Sequence, residues 1–353
     1  MRRFVFDDLP PRLGLRRRVR WTLVILCSSS AVGAEPAHPL SPTNIFSPAS
    51  TPARSIFDLS LFILMVTGAI FVVVFCLLTY AVVKFRARGD GREPPQVYGS
   101  NQVELAWTII PILIVIALFM AAARVIASTQ FSAPPPNSLA VIAIGHQFWW
   151  EYRYPELGVV TANELHVPVS DPAHPTPTFI TLLSADTDHS FWVPRLAGKT
   201  DLIPNHPNHM WIDPNETGLF LGQCAQYCGV QHAKMLLRVY VQPRSEFDQW
   251  IRAQLQPANS SSTAAEGRRI FESTACVNCH AVAGTAANGR FGPDLTHLMS
   301  RDTIAAGAAP NTPSNLRLWI QTPDAIKPNS LMPAMQMSAH DLDAVAAYLE
   351  TLQ

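Results

Sequence analysis

The chain has 353 residues, too many for one ordinary domain, and pairs 48% hydrophobic with only 15% charged side chains. Lys+Arg and Asp+Glu both number 26, so the formal charge is zero, which excludes a strongly basic nucleic-acid binder. The 30 prolines argue for extended loops and against a purely helical bundle.

The first segment reads as an export signal. Arg16, Arg17, Arg18 and Arg20 form a positive stretch, Trp21 to Leu26 begin a short apolar core, and Val32-Gly33-Ala34 offers small residues for cleavage, so a signal peptide is predicted over 1–34. Lipoprotein processing at Cys27 is the alternative, against which Leu26 stands where a small residue is expected. A two-helix transmembrane hairpin is predicted next, over 55–127, with helices at about 57–84 and 104–126. Residues 59–83 carry no charge and as a helix would span roughly 37 Å; residues 105–123 are likewise uncharged and would span roughly 28 Å. Pro111 lies in the second span, where neighbouring helices satisfy the freed backbone. Lys84, Arg86, Arg88 and Arg92 fill the connecting loop, which the positive-inside rule puts in the cytoplasm. Everything after Ala127 then faces outward.

Residues 137–250 change character. Leu139 to Ile144 and Phe179 to Leu183 are short apolar stretches between Pro, Asn, Asp and Gly, which predicts an all-β sandwich or barrel. Residues 257–265 are Ser/Ala-rich and read as a flexible linker reaching on the order of 15–18 Å. Residues 266–353 are predicted all-α, with Leu342, Val345, Ala346 and Leu349 sharing one face of the last helix.

Two clusters carry chemistry. Cys276-Val277-Asn278-Cys279-His280 has the C-x-x-C-H spacing of covalent c-type haem attachment, in which both thiols bond the porphyrin and His280 ligates iron. A redox dithiol has no use for His280, and a zinc site needs a further Cys or His pair. A methionine supplies the second axial ligand; Met332, before Pro333, is the first candidate, with Met335 and Met337 as rivals. The second cluster places Cys224, Cys228, His232 and Met235 within twelve residues. Soft thiolates with imidazole and thioether select copper, and two cysteines can bridge two copper ions where a blue-copper loop has one. A disulfide or a zinc site would leave Met235 without a role. A second histidine is required; His189 is the best placed, with His206 and His209 competing.

Together with the two apolar spans, three further segments resemble subunit II of haem–copper cytochrome c oxidase over residues 55–250. These are Gly145-His146-Gln147-Phe148-Trp149-Trp150-Glu151-Tyr152, Asn163-Glu164-Leu165-His166-Val167-Pro168, and His189 through Lys199-Thr200-Asp201. The remainder resembles the variant with a fused class I cytochrome c. The resemblance implies a cupredoxin-like barrel with a dinuclear CuA centre held by His189, Cys224, Cys228, His232, Met235 and the backbone carbonyl of Gln226. It implies that a proline carbonyl within Phe291-Gly292-Pro293-Asp294-Leu295 orients the axial histidine, and that Trp319 lies by the haem propionates. Where the family has glutamate and binds magnesium at the subunit I boundary, this chain has neutral Gln226. The family's electron-entry tryptophan aligns with Phe148, so the role passes to Trp149 unless these aromatics are plain packing. Glu104 aligns with a carboxylate at the mouth of a proton path; Asn101 and Glu104 also have the spacing of a helix capping box.

The implied function is electron input to a terminal oxidase. Electrons from cytochrome c or another donor reach haem c, then CuA, then subunit I, where oxygen becomes water and protons are translocated. Subunits I and III are the implied partners, in a bacterial inner membrane. A tether of this length would raise the local concentration of the haem domain to the order of millimolar. A nitric oxide reductase shares this input module, and a membrane-anchored electron carrier or copper-delivery protein is the reading from another class.

Overall fold

The computed structural model describes residues 43–86, 96, 99–130, 133–171, 173, 175–258 and 264–353. The predicted signal peptide, Arg88, Arg92 and most of the predicted linker lie outside the described residues.

Two helices come first, α1 (Thr51–Lys84) and α2 (Asn101–Thr129). Pro52 in the first turn of α1 starts it several residues before the predicted boundary, because proline lacks only an N–H that the turn leaves unused. Both are long and apolar enough to cross a membrane. Leu64, Phe71, Phe75, Leu113 and Phe119 lie exposed, as side chains facing lipid would. Asn101 does not cap α2: Ser100 holds the cap position and Asn101 is already helical.

The β domain has ten strands: β1 (Leu139–His146), β2 (Trp149–Tyr154), β3 (Val159–Ala162), β4 (Glu164–Pro168), β5 (Thr178–Ser184), β6 (His189–Trp192), β7 (Thr200–Leu202), β8 (Asn208–Ile212), β9 (Gly218–Cys224) and β10 (Leu236–Gln242). They form two five-stranded sheets, ordered β3-β2-β1-β5-β8 and β4-β10-β9-β6-β7. β1 runs parallel to β5 and β4 parallel to β10; the other pairs are antiparallel. Strand alternation sends Leu237, Val239 and Val241 of β10 inward, where they share a core with Trp150, Tyr152, Tyr154, Leu165 and Ile180. β4 breaks that alternation and is buried at every position, because its outer face is covered too. His166 stacks between Tyr240 and Trp250, the latter on α3 (Arg244–Gln254), while Glu164 meets the C-terminal domain.

The C-terminal domain contains α4 (Ala265–Ser273), α5 (Cys276–Cys279), β11 (Thr303–Ile304), β12 (Ala309–Pro310), α6 (Pro313–Gln321), α7 (Pro323–Ile326) and α8 (Ala339–Leu349). The last helix buries Leu342, Val345, Ala346 and Leu349, the face its spacing predicted. It crosses α4 at Gly267, where a Cβ would stand 1.9 Å from the Ala344 carbonyl oxygen, so only glycine allows this approach. Ser338 caps α8 by accepting from Asp341 N, and Thr312 caps α6 by accepting from Asn315 N.

The C-terminal domain does not hang free on its linker. The Glu164 carboxylate accepts from Asp302 N, Thr303 N and Thr303 Oγ1 at 3.0, 2.9 and 2.6 Å. Tyr240 donates its hydroxyl to Asp302, Leu236 N donates to Ala306 O, and Lys234 Nζ donates to Ile326 O. Trp149, Ala162 and Ala306 form a small shared core between the domains.

Candidate copper and haem sites

The copper loop is assembled by strand register. Pairing of Phe191 with Cys224 aligns the start of β6 with the end of β9, and Ala225 N donates to Ser190 O. This brings His189 beside Cys224, with Nδ1 4.0 Å from Sγ. The loop then curls back. The two sulfurs lie 3.9 Å apart, Cys228 Sγ is 3.8 Å from His232 Nδ1 and 3.9 Å from Met235 Sδ, and Cys224 Sγ is 3.1 Å from the Gln226 carbonyl oxygen. Both cysteines are free. Their separation is far beyond a disulfide bond of about 2.0 Å. It leaves room for an ion bonded to both sulfurs at the roughly 2.3 Å of a metal–thiolate bond. His189, Cys224, Cys228 and Met235 are buried, so a soft, dry donor set is already in place, which fits copper. His206 and His209 are not part of it: His206 is exposed in a turn and His209 stacks on Phe179 in the other sheet. Among the described residues, His189, Cys224 and Cys228 alone form a compact group of metal-ligating side chains.

Asp186, which sequence reasoning missed, orients the site. His189 Nε2 donates to Asp186 Oδ1 at 2.8 Å, so Nδ1 is the nitrogen turned to the sulfurs. Gln147 N donates to the other Asp186 oxygen at 2.7 Å. Burial alone would raise the Asp186 carboxyl; the hydrogen bonds from His189, Thr187 N and Gln147 N outweigh it and hold the group ionised. Without metal, the hydrogen bond from Cys228 lowers the Cys224 thiol to about 3, while Cys228 is pushed up by the same contact. Room for the imidazole is made by Gly145, whose Cβ would meet His189 Cδ2 at 2.8 Å.

The haem cavity is built the same way, from a loop and its neighbours. A largely apolar, partly open cavity is lined by Cys276, Cys279, His280, Trp319, Met332 and Met335. Met337 does not line it. His280 Nδ1 donates to the Pro293 carbonyl oxygen at 2.7 Å, leaving Nε2 free as a neutral ligand. Burial lowers the His280 pKa, which favours that neutral form. Gly292 lets the ring pass, since a Cβ there would lie 2.6 Å from His280 Cε1. Arg301, also missed from sequence, is buried against the cavity with its Nε unpartnered, a donor suited to a carboxylate of the bound group. The residues present therefore fit a covalent haem. The signal for Arg301 was slight: it is the one Lys or Arg between Arg290 and Arg317.

Trp149 is buried, stacked on His146 at 4.1 Å, and lines the haem cavity with Gln147 and Phe148. Glu104 is exposed in the first turn of α2, its carboxylate close to Gly99. The Gln226 side chain is exposed.

Three family models match the chain in order: cytochrome c oxidase subunit II, transmembrane domain, over residues 40–124; cytochrome c oxidase subunit II, periplasmic domain, over 172–241; and cytochrome c over 264–353. Cytochrome c oxidase subunit 2 of Alkalihalophilus pseudofirmus is 34% identical over 316 residues, covering 87% of this chain and 90% of that protein. The subunit 2 of Bacillus sp. (strain PS3) is 31% identical, covering 76% and 79%. A solved periplasmic domain of subunit II of cytochrome oxidase from Bradyrhizobium japonicum is 29% identical, covering 34% of this chain and 95% of that one, with a TM-score of 0.32. The chain belongs to the cytochrome c oxidase subunit II family and carries, after its two apolar helices and external β domain, a C-terminal cytochrome c domain.

Proposed function

We propose that this chain is the electron-input subunit of a haem–copper terminal oxidase in a bacterial inner membrane. It takes electrons from cytochrome c or another donor at haem c, carries them to CuA, and delivers them to subunit I. Oxygen is reduced to water there, coupled to proton translocation. The observation that carries this reading is that Gln147 and Phe148 line the His280 cavity and also touch the loop of the His189–Cys224–Cys228 cluster, at Cys228 O and Gly229.

Cys276 and Cys279 would hold haem covalently, and His280 and Met332 would ligate its iron. His189, Cys224, Cys228, His232, Met235 and the Gln226 carbonyl would hold the copper pair. Both groups supply one-electron exchange with little bond rearrangement. The protein's part is to fix the ring orientation of His280 through Pro293 and of His189 through Asp186, and to keep water from the buried thiolates. Gln226 offers a backbone carbonyl but no charge for magnesium. Glu104 serves as a proton-path carboxylate toward subunit I, with subunit III as a further neighbour.

The test is metal content, optical spectra and copper EPR on the intact chain produced with copper and a c-type haem maturation system. One covalent haem and two coppers sharing one unpaired electron are expected. A haem without a mixed-valence copper signal in folded, copper-treated protein would sink the proposal. For Glu104→Gln, unchanged turnover at all pH values would remove the proton role.

A further inference from the structure

The haem cavity is not confined to the cytochrome domain: Gln147, Phe148 and Trp149 of the β domain form part of its wall. The same short segment touches the copper loop on its other side. Gln147 Nε2 donates to the Cys228 carbonyl oxygen at 2.6 Å. The Phe148 ring lies against Gly229, where a Cβ would meet two ring carbons at 3.0 Å. Phe148 thus lines the haem cavity and also packs on the copper loop at the residue after Cys228. The contact that joins the cavity to this segment directly comes from Lys327, just after α7. Its Nζ reaches across the interface to donate to the Phe148 carbonyl oxygen at 2.7 Å, and also to Ala305 O at 3.4 Å within its own domain. The side chain is buried, with 4% of the residue exposed, and has no carboxylate partner among the described residues. A buried lysine spent on two carbonyls is costly unless it orders something.

We propose that Lys327 is a positioning residue that pins the haem cavity onto the Gln147–Phe148 segment, so that electrons reach the copper pair through a fixed contact at Phe148 and not through encounters of a tethered domain. This rests on the haem-to-copper reading above. The step moves one electron from ferrous haem iron to the oxidised copper pair; no bond is made or broken and no proton need move. Because Trp149 and Phe148 are covered by the docked domain, an outside donor has to deliver its electron at the haem.

The test uses the assembled oxidase with Lys327→Met and Lys327→Arg. Hydrogen exchange is read at Leu236 N, which is bonded to Ala306 O, and at Thr303 N, which is bonded to Glu164. Transfer from photoreduced haem to copper is timed with and without a viscogen. In the unaltered complex transfer is expected to ignore viscosity. In Lys327→Met, with haem content and the copper EPR signal unchanged, exchange at both amides is expected to quicken. Transfer should slow roughly tenfold, the worth of one buried hydrogen bond, and become viscosity-dependent. Lys327→Arg, which keeps donors at that end, should recover part of both. Unaltered exchange and transfer in Lys327→Met would overturn this inference alone. Absence of any haem-to-copper transfer in the unaltered complex would overturn the functional reading with it.

Discussion

Gly145→Ala should damage the copper site without touching a ligand. Gly145 sits in β1, paired with Trp150 on one side and Ser184 on the other, so its backbone cannot move away. The added Cβ would lie 2.8 and 2.9 Å from His189 Cδ2 and Cγ, where ordinary contact begins near 3.4 Å. The imidazole cannot yield freely: His189 is fully buried, its Nε2 is bonded to Asp186 at 2.8 Å, and Trp150 packs edge-on with centroids 6.0 Å apart. Overpacking of this kind costs about 1–3 kcal/mol. If that strain falls on the ligand, copper retention weakens by roughly tenfold or more. The assay is the rate of copper loss to a chelator from the assembled oxidase, with copper EPR hyperfine splitting as the reporter of His189 geometry. Gly158→Ala is the control, since it lies at a positive φ of 68° with open space around the new Cβ and strains only a distant turn. Gly145→Ala that holds copper as tightly as the control, with the same hyperfine pattern, would refute the argument that this glycine makes room for the imidazole.

Gly292→Ala should disturb the haem in the same way. A Cβ 2.6 Å from His280 Cε1 displaces the axial imidazole, so the covalent haem is expected to remain while its low-spin spectrum is lost. Met332→Leu should remove the same low-spin signature, whereas Met335→Leu should keep it; the reverse pattern would assign the ligand to Met335. Docking of the cytochrome domain should depend on pH through Lys327, whose burial lowers its pKa to about 7 from 10.5. The undocked form exposes the amine and binds one more proton between those values, so docking strengthens as pH rises from about 7 toward 10.5. The neutral amine still donates to Phe148 O. The protection of interdomain amides, taken relative to the intrinsic base-catalysed exchange rate at each pH, should rise across that window in the unaltered protein and lose that slope in Lys327→Met.

Residues close in sequence made much of the site legible. Cys276, Cys279 and His280 fall within one turn, and Cys224 through Met235 are one loop, so spacing alone carries their chemistry. The two apolar spans and the period-two strands were readable for a similar reason: hydrophobic periodicity reports what one element presents to its surroundings. It does not report what those surroundings are. Glu164 and His166 alternate with Leu165 and Val167 in β4, yet all are buried, because Thr303 and Trp250 cover the polar pair from far along the chain.

The sequence by itself therefore determined the ligand spacings that point to haem and copper, the two apolar helices and the order of domains, since each depends on local composition and spacing. Only the tertiary structure decided which histidine joins the thiolates: the β6–β9 register brings His189 to Cys224 and leaves His206 and His209 elsewhere. It alone disclosed Asp186, Arg301 and Lys327, and replaced a free tether with a seated domain. Those features depend on contacts such as Phe148 with Lys327, 179 residues apart, and no local pattern encodes a partner that folding alone brings near.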